Sequence, residues 1–230
     1  YDEGGTFDIT IANTISFEYG GVVFIGLRNM VFKPEGGSSA LFTEDQLQFV
    51  KNYLETLPPE RLVVLMTHIP ILVCRNREEM FRLLEGRPFA FSISSHAHEQ
   101  MHFFLTQEMG WRGPQPHHHF VTATVSGCWW CGLIDEVGIP HATMNDGAPS
   151  GYSVITFDGN GYSIRFKAAR RPADYQMNIY VPEEVEQAKA GETEVLVNVF
   201  AGSERSKVEM QFGKDGPWVP LEPVLTIDPE

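Results

Sequence analysis

Two short motifs, Thr67-His68-Ile69-Pro70 and Ser95-His96-Ala97-His98, carry the clearest chemistry in this chain. The first directly follows the apolar run VVLM, and the second follows FAFSI after one serine. Neutral imidazole is the commonest metal ligand among side chains. Residues just past the end of a strand sit on loops held by a rigid scaffold, where sites are usually built. A lone histidine is ordinarily a solvated or hydrogen-bonded ring. Three of them delivered by consecutive strands, His68, His96 and His98, read as metal ligands. In an extended chain the side chains of His96 and His98 project to one side, so they can serve one metal or two adjacent ones. A mononuclear zinc site built from the three histidines is the simplest form of this reading.

The elements that must position these rings follow from periodicity. Residues 61–66 and 89–94 are continuous apolar runs, as in strands buried on both faces. A helix is expected between them over residues 75–84, ended near Gly86, and a further strand over 101–106. Short connections in the order strand, helix, strand indicate an α/β arrangement. Upstream, SFEYGGVVFIGLRN reads as a hairpin turning at Gly20-Gly21. Thr43 and Gln46 have capping-box spacing, Phe42 and Leu47 stand where a hydrophobic staple would be, and Pro58-Pro59 stops the helix. Downstream, residues 119–125 read as a strand and 127–151 as a long irregular stretch rich in Gly, Pro and Trp; such loops are usually functional. GYSVITFDGNGYSIRFK reads as a second hairpin, and residues 168–174 as a linker. From Met177 onward, short alternating strands predict a small β-sandwich-like module. The chain thus divides into residues 1–110, 111–176 and 177–230.

Composition bounds the function. With 43% hydrophobic and 20% charged residues over 230 positions, the chain is an ordinary globular protein. A net charge of −13 argues against nucleic acid or an anionic membrane as the main partner. It also disfavours anionic substrates unless bound cations reverse the local field. No apolar run is long enough to span a membrane as a helix. Three cysteines are too few for a disulfide framework. The first residue is Tyr1, which suggests a mature or excised chain.

Other candidates are less specific. Cys128-Trp129-Trp130-Cys131 has redox-motif spacing, but without a βαβ context it reads better as a structural loop whose tryptophans pack or line a pocket. His117, His118 and His119 could reach a metal or a substrate phosphate, or form a polar loop lip. Asp146, in NDGAPSG, is a site-edge residue or a turn former. His102 and His141 carry no particular signal.

The order Thr-His-x-Pro, helix, strand, Ser-His-x-His resembles the last two motifs of the calcineurin-like metallophosphoesterases. The resemblance extends upstream to SFEYGGVVFIGLRN and downstream to HHHFVTATVSGCWWCG and MNDGAPSGY, as in the C-terminal region of a bacterial, often extracytoplasmic, multidomain branch. It implies part of a two-sheet sandwich flanked by helices, followed by a small all-β module. It further implies a phosphate-ester substrate and two divalent ions of the Mn, Fe or Zn kind, with His68 and His96 on one and His98 on the other. The family's D-x-H, G-D-x-x-D and G-N-H motifs do not occur in this sequence, and Ser95 stands where the family usually has glycine. The resemblance therefore implies the C-terminal portion of a phosphoesterase, inactive by itself. A missing N-terminal half, or self-association, would cover the apolar sheet. A non-catalytic extracytoplasmic binding or structural protein on the same scaffold is the alternative.

Overall fold

The computed structural model describes residues 14–126 and 132–226. The expected α/β architecture is present. The first hairpin is β1 (Thr14–Tyr19) and β2 (Val22–Leu27), antiparallel, turning at Gly20 and Gly21, which both have positive φ. A small hairpin, β3 (Met30–Phe32) and β4 (Ser38–Ala40), leads into α1 (Glu44–Thr56). Both capping-box bonds form: Gln46 N–H donates to Thr43 Oγ1 and Thr43 N–H to Gln46 Oε1. Then come β5 (Val63–Thr67), a 3-10 turn over Ile71–Val73, α2 (Arg77–Leu84), β6 (Ala90–Ser94), β7 (Met101–Leu105) and β8 (His117–Val121). Strand β8 begins two residues earlier than expected and ends at Val121, because its residues pair with β6 in the register Phe91↔His118 to Ser94↔Val121.

These strands form one six-stranded sheet in the order β1-β2-β5-β6-β8-β7, with β2, β5, β6 and β8 mutually parallel. Val23, Ile25, Leu27, Val63 and Leu65 face a core shared with Val50 and Leu54 of α1 and Met80, Phe81 and Leu84 of α2. The alternate residues face the other side. An uncovered apolar face was expected there, but the tip of the second hairpin partly covers it. Phe157 packs edge-on against Phe24, and Tyr162 stacks on Phe91 with centroids 4.1 Å apart.

That hairpin is β9 (Gly151–Asp158) and β10 (Gly161–Ala168), turning through Gly159-Asn160 as the Asp-Gly-Asn-Gly run predicts. The C-terminal region contributes β11 (Met177–Tyr180) paired with β12 (Leu196–Val199), and β13 (Glu209–Gln211) paired with β14 (Trp218–Pro220). The chain packs as two compact units. Among the described residues, one holds 14–97, 103–121 and 156–163; the other holds 98–102, 122–126, 132–155 and 164–226. This division cuts the chain differently from the three segments read off the sequence. The second unit has its own core of Ala123, Met144, Ala148, Phe166, Ala168 and Phe200. No helix among the described residues is long and apolar enough to cross a membrane.

Candidate metal-ligand site at the strand ends

Strands β5 and β6 are parallel neighbours, so the residues beyond their carboxyl ends lie on the same edge of the sheet. This is the edge at which open α/β sheets place ligands. His68 follows β5 directly, and His96 follows β6 by two residues. Both rings are exposed, and His96 Nδ1 lies 3.0 Å from His68 Nε2. Two nitrogens held about 2.1 Å from one ion at right to tetrahedral angles lie about 3.0–3.4 Å apart. The pair therefore fits two corners of a coordination sphere. Among the described residues no group of three or more His, Cys, Asp or Glu side chains could hold a metal ion.

The loops carrying these rings are fixed by backbone bonds. Ser95 N–H donates to the His68 carbonyl at 3.1 Å, tying the two strand ends together. Asn29, two residues past β2, is fully buried and holds the other side of the His68 loop. Its Nδ2 donates to the Ile69 carbonyl at 2.8 Å, and its Oδ1 accepts from Ile69 N–H at 3.0 Å. Nδ2 also lies 3.1 Å from Cys74 Sγ, whose thiol is pushed up in pKa by burial, offset in part by that bond. Thr67 Oγ1 donates to the Ile69 carbonyl as well. Sequence reading missed Asn29, since its partners lie 40 residues away and LRN after a strand looks like an ordinary turn.

The Ser-His-Ala-His segment is not extended, contrary to expectation. His96 has φ 71° and His98 φ 55°, and Ala97 N–H turns back to the Ser95 carbonyl at 2.8 Å. Once Ser95 N–H is committed to His68, the chain leaves the ladder and bends. Left-handed backbone at a non-glycine residue costs about 1–3 kcal/mol, and such strain gathers at functional sites. His98 lies in the second unit, where its carbonyl accepts from Asn145 N–H at 3.2 Å.

His117 and His119 are buried in β8, on the helix-facing side of the sheet, and form one chain of bonds with two serines of β6. His117 Nε2 is 2.8 Å from Ser92 Oγ, which is 2.7 Å from His119 Nδ1; His119 Nε2 is 3.0 Å from Ser94 Oγ. Burial lowers both pKa values to about 3, with smaller contributions from neighbouring imidazoles, so both rings stay neutral. Both ring nitrogens of His119 and Nε2 of His117 thus have hydroxyl partners, as buried polar groups require. His118 points to the opposite face, 2.7 Å from the Tyr162 hydroxyl. Trp111 lies over His117.

Asp146 caps its own turn and pins the 98–102 segment. Its Oδ2 accepts from Gln100 N–H at 2.8 Å and its Oδ1 from Ala148 N–H at 3.2 Å. Burial raises its pKa, against those bonds. Cys128, Trp129, Trp130 and Cys131 lie outside the described residues.

Residues 119–230 match a family model described as the C terminal of calcineurin-like phosphoesterase. No curated protein matches the chain. The match begins at His119, so the paired histidines lie upstream of it.

Proposed function

From the premise that the chain belongs, over residues 119–230, to the C-terminal region of the calcineurin-like phosphoesterases, we propose that it is the carboxyl-terminal portion of a metal-dependent phosphate-ester hydrolase. The observation that carries the reading is the 3.0 Å approach of His68 Nε2 to His96 Nδ1 at the ends of adjacent parallel strands. On this reading His68 and His96 hold one divalent ion of the Mn, Fe or Zn kind, and His98 belongs to a second. Such ions, when bound, lower the pKa of a water and offset phosphoryl charge. They would also reconcile a chain of net charge −13 with an anionic substrate.

The chain's own residues present imidazole nitrogens and hold them still. Asn29 and the Ser95 amide fix the loops, and the left-handed backbone at His96 turns its ring toward His68. No aspartate or glutamate is placed to bridge two ions among the described residues. The D-x-H, G-D-x-x-D and G-N-H motifs of the family do not occur in this sequence, and on this reading the chain alone is inactive. We place the protein outside the cytoplasm, on the resemblance to the extracytoplasmic branch alone.

The incomplete donor set supports a second reading, a non-catalytic extracytoplasmic binding or structural protein on the same scaffold. One experiment separates the two: metal analysis and aryl-phosphate hydrolysis with the full-length gene product and its His68→Ala variant. Metal-dependent turnover lost by at least about a hundredfold in the variant is expected, as for loss of a principal catalytic electrostatic contact. Turnover unchanged by His68→Ala, or none with Mn, Fe or Zn supplied, would sink the hydrolase reading.

A further inference from the structure

The second unit contains a groove of about 760 Å³ lined by all of β12, by Asp146 and by the segment Leu221 to Thr226. Nothing in the phosphoesterase reading uses it. Successive side chains of a strand point to opposite faces. A groove touched by every residue from Val195 to Val199 therefore runs along the edge of β12, not over one of its faces.

The register says what that edge offers. Phe200 N–H donates to the Gln176 carbonyl, so these two are a hydrogen-bonded pair of the antiparallel ladder. The pairing continues Met177↔Val199, Asn178↔Asn198, Ile179↔Val197, Tyr180↔Leu196. Hydrogen-bonded and non-hydrogen-bonded pairs alternate, so Asn198 and Leu196 bond to β11, while Val197 and Val199 turn their N–H and C=O away from it. The Val199 carbonyl is already taken by Gly202 N–H, as this alternation requires. Val197 presents both backbone groups to the groove, and among the described residues no strand pairs with β12 on that side.

The walls are apolar: Val208 and Leu221 half-buried, Val224 and Leu225 exposed. Asp146 and Glu222 are its charged residues, and no lysine or arginine lines it. We propose that this groove binds an extended peptide by strand addition to β12, with apolar residues at alternate positions and a lysine or arginine toward Asp146 and Glu222. An unpaired edge supplies main-chain bonds to such a peptide, and pockets for its alternate side chains supply selectivity. An acidic groove without cations disfavours a phosphate-bearing ligand, so this site is chemically unlike the histidine pair.

The test uses the full chain and a panel of hexapeptides with Val, Ile or Tyr at alternate positions and Lys at the ends, followed by fluorescence anisotropy. Saturable binding below about 1 mM is expected for at least one member. N-methylation of the peptide amides that would pair, which leaves the protein unaltered, should weaken it at least fivefold, one hydrogen bond's worth. Val197→Pro removes only an outward N–H, which edge strands tolerate, and should do the same. Glu222→Lys should reverse the preference between Lys-ended and Glu-ended peptides. Absence of binding across the panel overturns the proposal, as does binding indifferent to N-methylation. A concentration-dependent dimer abolished by Val197→Pro would also overturn it, assigning the edge to a second copy.

Discussion

Asn29 contributes more to the histidine pair than its place after a strand suggests. It satisfies both backbone groups of Ile69, one residue past His68, from a fully buried position. Removing it leaves the buried Ile69 N–H without its partner, while the Ile69 carbonyl keeps the Thr67 hydroxyl. Asn29→Ala should therefore lower unfolding stability by about 1–3 kcal/mol in urea titrations; a loss under about 0.5 kcal/mol would show that water substitutes in the loop. His96 offers the opposite case. Glycine tolerates its φ of 71° without strain, so His96→Gly should leave stability unchanged or raise it by up to about 1 kcal/mol while weakening Mn or Co binding at least tenfold. A variant that loses both stability and metal affinity would mean the histidine is there for packing. The motif histidines were legible from their sequence because strand-end placement and side-chain type are local properties. Asn29 was not, because its partners are set by the β2–β5 pairing.

Elements show the same contrast between local and distant causes. The α1 cap follows from four adjacent residues and forms as expected, so Thr43→Ala should cost about 1 kcal/mol, read from thermal or urea unfolding. Strand β8 is different. A run of three histidines looks like a polar lip, yet pairing with β6 carries His117 and His119 into the core beside Ser92 and Ser94. Their native pKa values near 3 lie below the ordinary histidine value of 6.5. The unfolded chain binds these two protons first as pH falls. Their contribution is thus fully present above pH 6.5 and is lost progressively from there toward pH 3. Each adds a slope of about 1.4 kcal/mol per pH unit in that window. Acid unfolding should accordingly be steep, and His117→Phe should roughly halve this part of the slope in urea melts at stepped pH. Equal slopes in the two proteins would show that the rings are charged in the fold.

At the scale of the whole molecule, the open question is what meets the edge of the six-stranded sheet at β1. Ile15, Phe17 and Tyr19 alternate along that edge strand and are 53%, 45% and 80% exposed. Long apolar edge strands are pairing sites unless something covers them. Such an edge should pair with a second copy, so the chain should self-associate. Sedimentation over a range of concentrations should show association that Tyr19→Lys weakens, since lysine on an edge blocks pairing. A strictly monomeric chain at high concentration would show that this edge needs no cover. Phe157 and Tyr162, on the sheet face away from the helices, already remove part of the surface that strand patterning alone leaves bare.

By itself the sequence determined what depends on neighbours along the chain: the alternation of strands and helices, the two hairpins with their glycine turns, the α1 cap, and histidines just past strand ends. It also carried the family resemblance, matched over residues 119–230. Tertiary structure decided whatever depends on which strands lie side by side. Parallel pairing of β5 with β6 brings His68 to His96, and pairing of β6 with β8 buries His117 and His119. The bond from Ser95 to the His68 carbonyl bends a segment that spacing alone would draw straight. Two of the three histidines that first stood out form an observed pair, held by an asparagine that no local pattern marks.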